Sequence, residues 1–141
     1  MAMEVVHATS VALAEGAVVI VGASGSGKSA LALRLMALGA RLVADDQTIL
    51  SGEGGRLVAR CPAPLSGLIE ARGVGLLRAV PVECAEVVLV IDLDHPEKQR
   101  LPPPRLRQIA GFSIPCLHKV DGDYFPAAIV QYVKGGKGDA A

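Results

Sequence analysis

Lys28 and Ser29 end the stretch VVIVGASGSGKS (residues 18–29), in which four residues separate Gly22 from Gly27-Lys28-Ser29. A short apolar run precedes this stretch, and the helix-like segment ALALRLMAL follows it. Strand, glycine-rich loop and helix in that order make the phosphate-binding P-loop. Glycines tolerate positive φ and close backbone approach, so consecutive N–H groups can curl around an anion. The helix that begins there adds unpaired N–H groups and the positive end of its dipole. The spacing therefore predicts that Gly22, Ala23, Ser24, Gly25, Ser26, Gly27, Lys28 and Ser29 bind a nucleoside triphosphate. In that role Lys28 reaches the β- and γ-phosphates, and the Ser29 hydroxyl holds Mg²⁺.

The second chemical group is acidic. RLVA (41–44) reads as a strand and ends at Asp45-Asp46. Strand, helix and strand predict a βαβ unit with a right-handed crossover and two parallel strands. Parallel strands finish at one edge of the sheet, where ligands sit in such folds. Gly22 ends the first strand and Asp45 the second, so the carboxylates emerge on the phosphate side. Phosphoryl transfer asks for positioning and charge compensation, and for a carboxylate that takes the proton of the incoming hydroxyl. In an extended segment adjacent side chains point opposite ways, so one of the two aspartates faces the γ-phosphate. A solvated pair capping a turn is the plain alternative.

The remaining elements frame these residues. VVHATSVAL (5–13), a turn at Glu15-Gly16 and AVVIV form a hairpin that places His7 near the loop, after a frayed start at Met1 to Glu4. Leu31, Leu35 and Leu38 repeat at helical spacing, with Gly39 as the stop. SGEGG between residues 48–50 and 56–60 signals a second hairpin. LSGLIEARGVGLL (65–77) reads as a short helical or irregular segment and then a strand. Residues 85–92 form the most apolar strand, a central one that ends at Asp92. HPEKQRLPPPRLRQ is a Pro-rich surface loop carrying Arg100, Arg105 and Arg107. IAGFSIPCLHKV suggests one or two strands, and DGDYFPAAIVQYVKG a closing helix interrupted early at Pro126. Residues 1–134 are expected to form one domain and residues 135–141 a disordered tail.

Composition bounds the partners. Hydrophobic residues make up 51% of the 141, aromatic residues only 3%, and the formal net charge is +0. Such a chain lacks both the basic footprint and the stacking rings of a nucleic-acid binder. Cys61, Cys84 and Cys116 have no metal-like spacing and suit buried small hydrophobes in a reducing compartment. No apolar run approaches 18 residues and no signal peptide opens the chain, so a soluble, cytoplasmic protein with no membrane partner is expected.

His7 followed by GASGSGKS, GARLVADD (39–46) and LIEARGVGLL (68–77) together resemble the HPr kinase/phosphorylase family, specifically its C-terminal catalytic domain in a short form. The three blocks span about half the chain, and their order is more specific than a P-loop alone. The resemblance implies an α/β P-loop kinase domain of the phosphoenolpyruvate-carboxykinase-like type, with a mixed central sheet, few helices and assembly as a homo-oligomer, generally a hexamer. It implies an enzyme that uses ATP to phosphorylate a serine of HPr, a small phosphocarrier of the sugar phosphotransferase system. It assigns proton acceptance to Asp46, support of the metal or its waters to Asp45, and Mg²⁺ binding to Glu70 beside Ser29. It also places Arg72 in the signature, and it aligns Arg100 with an arginine near the transferred phosphate. The distance from His7 to Lys28 matches that of the family's catalytic His, and His7 is expected to hydrogen-bond and orient one of the two aspartates. Asp92 could be read as the Mg²⁺-side Asp of other P-loop enzymes. With Asp46 and Glu70 available, it is read instead as a strand terminator or a support from behind.

Two departures qualify the resemblance. Ala30 stands where Glu is common, and IPCLHKVDGDYF lacks the Gly-Arg-Asn segment tied to phosphorolysis. Kinase activity is expected and phosphorylase activity is doubtful. The competing readings are a small-metabolite kinase, with the Pro-rich loop as its lid, and an ATP-sensing module that transfers nothing.

Overall fold

The computed structural model describes residues 3–136. Strand β1 (Met3–Leu13) turns tightly into β2 (Gly16–Val21), antiparallel to it, with Ala8 opposite Val21 and Leu13 opposite Gly16. Met3 and Glu4 are therefore paired strand residues, opposite Ser51 and Leu50, rather than a frayed start. After the glycine-rich loop come α1 (Lys28–Ala37), β3 (Arg41–Ala44) and β4 (Gln47–Glu53).

β3 and β4 succeed one another along the second edge of β1, with Ser10 opposite Ala44 and His7 opposite Gln47. β2 and β3 thus run parallel, as the spacing predicts, but β1 lies between them and is antiparallel to both. The N-terminal hairpin supplies that middle strand. It also carries His7 to the junction of all three.

Gly54 and Gly55, with φ of 61° and 81°, turn β4 into β5 (Arg56–Arg60). Two positive-φ residues match the twist of a two-residue hairpin. A 3-10 turn at Ala63–Leu65 leads to β6 (Leu68–Ala71) and β7 (Gly75–Arg78), a separate two-stranded sheet. This corrects the helical or irregular reading of the first half of that segment. Ile69 and Ala71 alternate inward with period two, and Gly73 at φ 83° supplies the turn.

Strand β8 (Cys84–Pro96) pairs with β5 at its start, and then in parallel with both β2 and β10 (Phe112–Lys119). β9 (Leu106–Ile109) pairs with β10 at the far edge of the sheet. The pairings β2–β1–β4–β5–β8–β2 close a ring, so the result is an α/β domain with a mixed central sheet and few helices. β8 runs four residues past Asp92, so Asp92 does not terminate it. The Pro-rich segment is likewise strand at both ends and loop only between them.

The sheet has a core on each face. Ala17, Val19 and Val21 join Val43, Leu50 and Val90 on one side; Val18 and Ile20 join Leu31, Leu35 and Ile129 on the other. This two-sided burial is why β2 reads as an uninterrupted apolar run. Each large aliphatic side chain fully buried there contributes about 1.5–3 kcal/mol.

Gly39 caps α1 at φ 108°, with the Gly39 and Ala40 amides returning to the Met36 and Leu35 carbonyls. Leu38 falls beyond the last helical turn and is exposed; Ala32 is buried in its place. The closing helix is α2 (Phe125–Gly135), in which Pro126 occupies the first turn. A first-turn proline sacrifices no intrahelical bond, so it opens the helix instead of interrupting it. Gly135, expected in the tail, is the last residue of α2; residues 137–141 lie outside the described residues. Cys116 is buried and Cys61 half-buried, with burial pushing both thiols up from their ordinary pKa, but Cys84 is exposed. Among the described residues no helix is long and apolar enough to cross a membrane.

Candidate functional site

The glycine-rich loop leaves β2 at Gly22 and closes on itself, with the Ser26 amide donating to the Ala23 carbonyl at 3.0 Å. Gly22 has φ 156°, and a Cβ there would lie 2.5 Å from Ser26 Oγ. The Ser26 hydroxyl is buried without a hydrogen-bond partner. Around Gly25 and Gly27 a Cβ would meet nothing within 4 Å, so the backbone is open on that side. Gly27, at φ 101°, hands over to α1. Lys28 is buried, its ammonium donating to the Gly22 carbonyl at 2.8 Å and the Ala23 carbonyl at 3.0 Å. A buried cation on carbonyls, beside an orphaned hydroxyl, suits a cradle built for anionic oxygens.

The two aspartates part company at a strained turn. The Gln47 amide returns to the Asp45 carbonyl at 2.7 Å across Asp46, which has φ 67°. The extended geometry expected at this pair is thus broken at Asp46, a left-handed position that a non-glycine residue holds only at a cost. The Ala8 amide fixes the Asp46 carbonyl at 3.1 Å. As a result the two carboxylates diverge to different partners.

Asp45 turns to the loop. Its Oδ1 accepts the Ser29 hydroxyl at 2.7 Å and the Thr9 hydroxyl at 3.0 Å, and its Oδ2 accepts the Glu70 amide at 3.0 Å. One carboxylate thereby joins β1, α1, β3 and the β6–β7 hairpin. Asp46 turns the other way and meets His7, with Nε2 2.7 Å from Oδ1. His7 sits one step beyond the Ala8–Val21 pair, alongside Gly22. The expected site residues His7, Lys28, Ser29, Asp45, Asp46 and Glu70 are therefore gathered at one end of β1. Arg72 lies in the β6–β7 turn, and Arg100 is exposed on the loop after β8, in none of these contacts.

Thr9 and Asp94, which the sequence did not single out, and Arg107, read from it only as part of the Pro-rich loop, complete the surroundings. Thr9 shares a strand face with His7, two residues on, and is fully buried; a polar residue inside an apolar strand was its signal. Asp94, two residues past Asp92, accepts the Ala23 amide at 3.0 Å. Arg107 donates to Asp92 Oδ2 at 3.0 Å. Asp92 is buried and also takes the Asp94 amide at 2.9 Å and His95 Nδ1 at 2.7 Å, with the His118 ring stacked on that of His95. Burial works against its charge, yet the Asp94 amide, His95 and Arg107 hold its carboxyl below the ordinary value. Asp92 thus supports the end of β8 from behind and touches neither Lys28 nor Ser29.

Two clefts flank the loop. One of ≈ 500 Å³ is lined by His7, Gly22, Ala23, Asp94 and Arg107 among others. The second, of ≈ 350 Å³, runs from Ser26 and Ala30 to Phe125 and Pro126 and has apolar walls at Leu31 and Leu93.

The family model described as HPr Serine kinase C-terminal domain matches residues 1–101. The chain belongs to that family. An HPr kinase/phosphorylase of Mycoplasmopsis pulmonis (strain UAB CTIP) is 36% identical over 103 residues, covering 67% of this chain and 33% of the relative. One of Bordetella pertussis (strain Tohama I) is 51% identical over 61 residues, covering 43% of this chain and 20% of the relative. The chain thus spans about a third or less of these relatives. Among solved structures, the Hpr(Ser) kinase/phosphatase from Coxiella burnetii matches with a TM-score of 0.78 and 28% identity, over 93% of this chain and 88% of that one. The blocks read from the sequence lie inside the matched family region, as do the two aspartates and His7.

Proposed function

We propose that this chain is an ATP-dependent serine kinase acting on an HPr-like phosphocarrier of the phosphotransferase system, built on a P-loop domain of the phosphoenolpyruvate-carboxykinase-like type. The observation that carries the reading is the divergence of Asp45 and Asp46, one toward Ser29 of the loop and the other toward His7. The relatives' names supply the acceptor. The same reading takes the protein to work in the cytoplasm as a homo-oligomer, with a hexamer as the form that the resemblance implies.

In this mechanism residues 22–29 receive the triphosphate on their amides, and Lys28 swings from the loop carbonyls to the β- and γ-phosphates. Asp46 takes the proton of the seryl hydroxyl as its oxygen bonds to the γ-phosphorus and the bond to the ADP oxygen breaks. His7 holds that carboxylate in line. Ser29, Asp45 and Glu70 offer only oxygen donors, the chemistry that suits Mg²⁺. Phosphate oxygens and water would complete the shell of such an ion. When bound, Mg²⁺ would neutralise charge on the phosphates. The sequence from Ile114 to Phe125, lacking Gly-Arg-Asn, favours the kinase direction over phosphorolysis.

Incubation with labelled ATP, Mg²⁺ and a panel of HPr-like carriers tests the proposal. Label on a carrier serine supports it. Label on a small metabolite, or tight ATP binding with no transfer at all, overturns it.

A further inference from the structure

Of the three arginines around the Pro-rich loop, Arg100 is exposed on the loop itself and Arg105 is committed to Glu97, donating from Nε at 3.0 Å and from Nη2 at 2.8 Å. Arg107 differs from both. Its Nη1 is anchored on the buried carboxylate of Asp92, while its side chain stays 40% exposed and forms a wall of the ≈ 500 Å³ cleft. His7 and the first two residues of the glycine-rich loop, Gly22 and Ala23, line the same cleft. Glu4 and Asp94 also line this cleft, and His7 contacts Asp46, which is outside the lining. An anion entering there meets two carboxylates, and Lys28 is outside the lining, buried with its ammonium on the Gly22 and Ala23 carbonyls. Arg107 is the one permanently charged cation in the lining, and a guanidinium with one donor spent keeps four for planar oxygens.

We infer that Arg107 binds the phosphoryl group on the acceptor side of the site, as a phosphate monoester on the acceptor or as free phosphate. This deepens the kinase reading and rests on it for the identity of the acceptor. Asp92 acts as the positioning residue that fixes the guanidinium in the cleft lining it shares with His7. The anchor comes from β8 and the arginine from β9, so the subsite is fixed by the sheet and not by the Pro-rich loop.

The test uses the full chain with Arg107→Gln and Arg107→Lys. With the loop filled by Mg-ADP, inorganic phosphate binding is measured by calorimetry. Alongside it are measured Mg-ATP affinity, thermal stability and steady-state transfer to HPr. The expected result is that Arg107→Gln weakens phosphate binding at least tenfold and lowers kcat at least tenfold, with Mg-ATP affinity within about twofold of wild type. Arg107→Lys should recover part of both losses. Unchanged phosphate affinity in Arg107→Gln overturns the inference, as does a parallel fall of phosphate affinity, Mg-ATP affinity and melting temperature, which marks a merely structural clamp on Asp92. If the wild type transfers nothing to HPr, the kinase reading has failed on its own account. The phosphate measurement with Mg-ADP still decides the role of Arg107.

Discussion

The Ser29 hydroxyl donates to Asp45 Oδ1 at 2.7 Å, tying the first turn of α1 to the end of β3 through one oxygen. The same oxygen takes the hydroxyl of Thr9, which is wholly buried, so the node is both the candidate metal side of the site and a structural joint.

Removing that acceptor should cost stability as well as function. Asp45→Ala leaves the Thr9 hydroxyl without this partner, a loss of about 1–3 kcal/mol for a buried group. Asp45→Asn keeps an oxygen for the two hydroxyls but sets an NH2 against the Glu70 amide, so it should retain more stability than Asp45→Ala and less than wild type. Both variants should require much more Mg²⁺ for nucleotide binding. Thermal unfolding separates the two on stability, and nucleotide titrations at several Mg²⁺ concentrations measure the shared defect. Equal Mg²⁺ dependence in Asp45→Asn and wild type would remove Asp45 from the metal side.

His7 and Asp46 make a second, separable prediction. The His7 ring contacts Asp46 at 2.7 Å, whereas Lys28 and Ser29 hydrogen-bond to the loop carbonyls and to Asp45. His7→Ala should therefore lower turnover by roughly 10²-fold through a misaligned carboxylate, with ATP affinity near that of wild type. Steady-state kinetics and equilibrium ATP binding check the split. A matching loss of ATP affinity would place His7 in nucleotide binding and not in orientation.

The legible part of this site was the part written in local spacing. Gly22 to Ser29 and the apolar β2 carry their own geometry, and Asp45-Asp46 follows from where the next strand must end. Asp46 departs from the extended geometry that the sequence predicts because its left-handed φ is set from outside, where the Ala8 amide holds its carbonyl. Asp92 read as a strand end because the apolar run stops there, whereas β8 continues on pairing with β10. Its true partners, His95 and Arg107, reach it across an irregularity within β8 and through the return of β9, neither of which leaves a periodic trace. The insertion of β1 between β2 and β3 was equally hidden, since a hairpin signal does not say which edge the next strand will take.

Gly22 is the loop position least able to change. A methyl group there would lie 2.5 Å from Ser26 Oγ, at a φ of 156° that favours glycine. Gly22→Ala should destabilise the protein by about 1–3 kcal/mol and abolish tight nucleotide binding, because the loop must open to admit the methyl group. Gly25→Ala meets no neighbour within 4 Å and bears only the backbone strain of its φ of 84°. Melting temperatures and nucleotide titrations of the pair test this order. Gly25→Ala proving the more damaging would show that the cradle is limited by the ligand and not by Ser26.

The last prediction concerns acid. Arg105 grips Glu97 with two nitrogens, and this pairing, against some loss of solvation, brings the Glu97 carboxyl from its ordinary 4.5 down to about 2. The Glu97 side chain is only 7% exposed, so water does little to replace the pair. A carboxyl whose pKa is lower folded than unfolded stabilises the native state above its unfolded value; that contribution is lost as pH falls from about 4.5 through about 2. Glu97→Gln removes the titrating group. Its melting temperature should therefore sit below that of wild type at neutral pH and fall less steeply between pH 4.5 and 2, the two curves converging at the acid end. Circular-dichroism melts across that range provide the check. Parallel curves would mean that the Glu97–Arg105 pair is broken in solution.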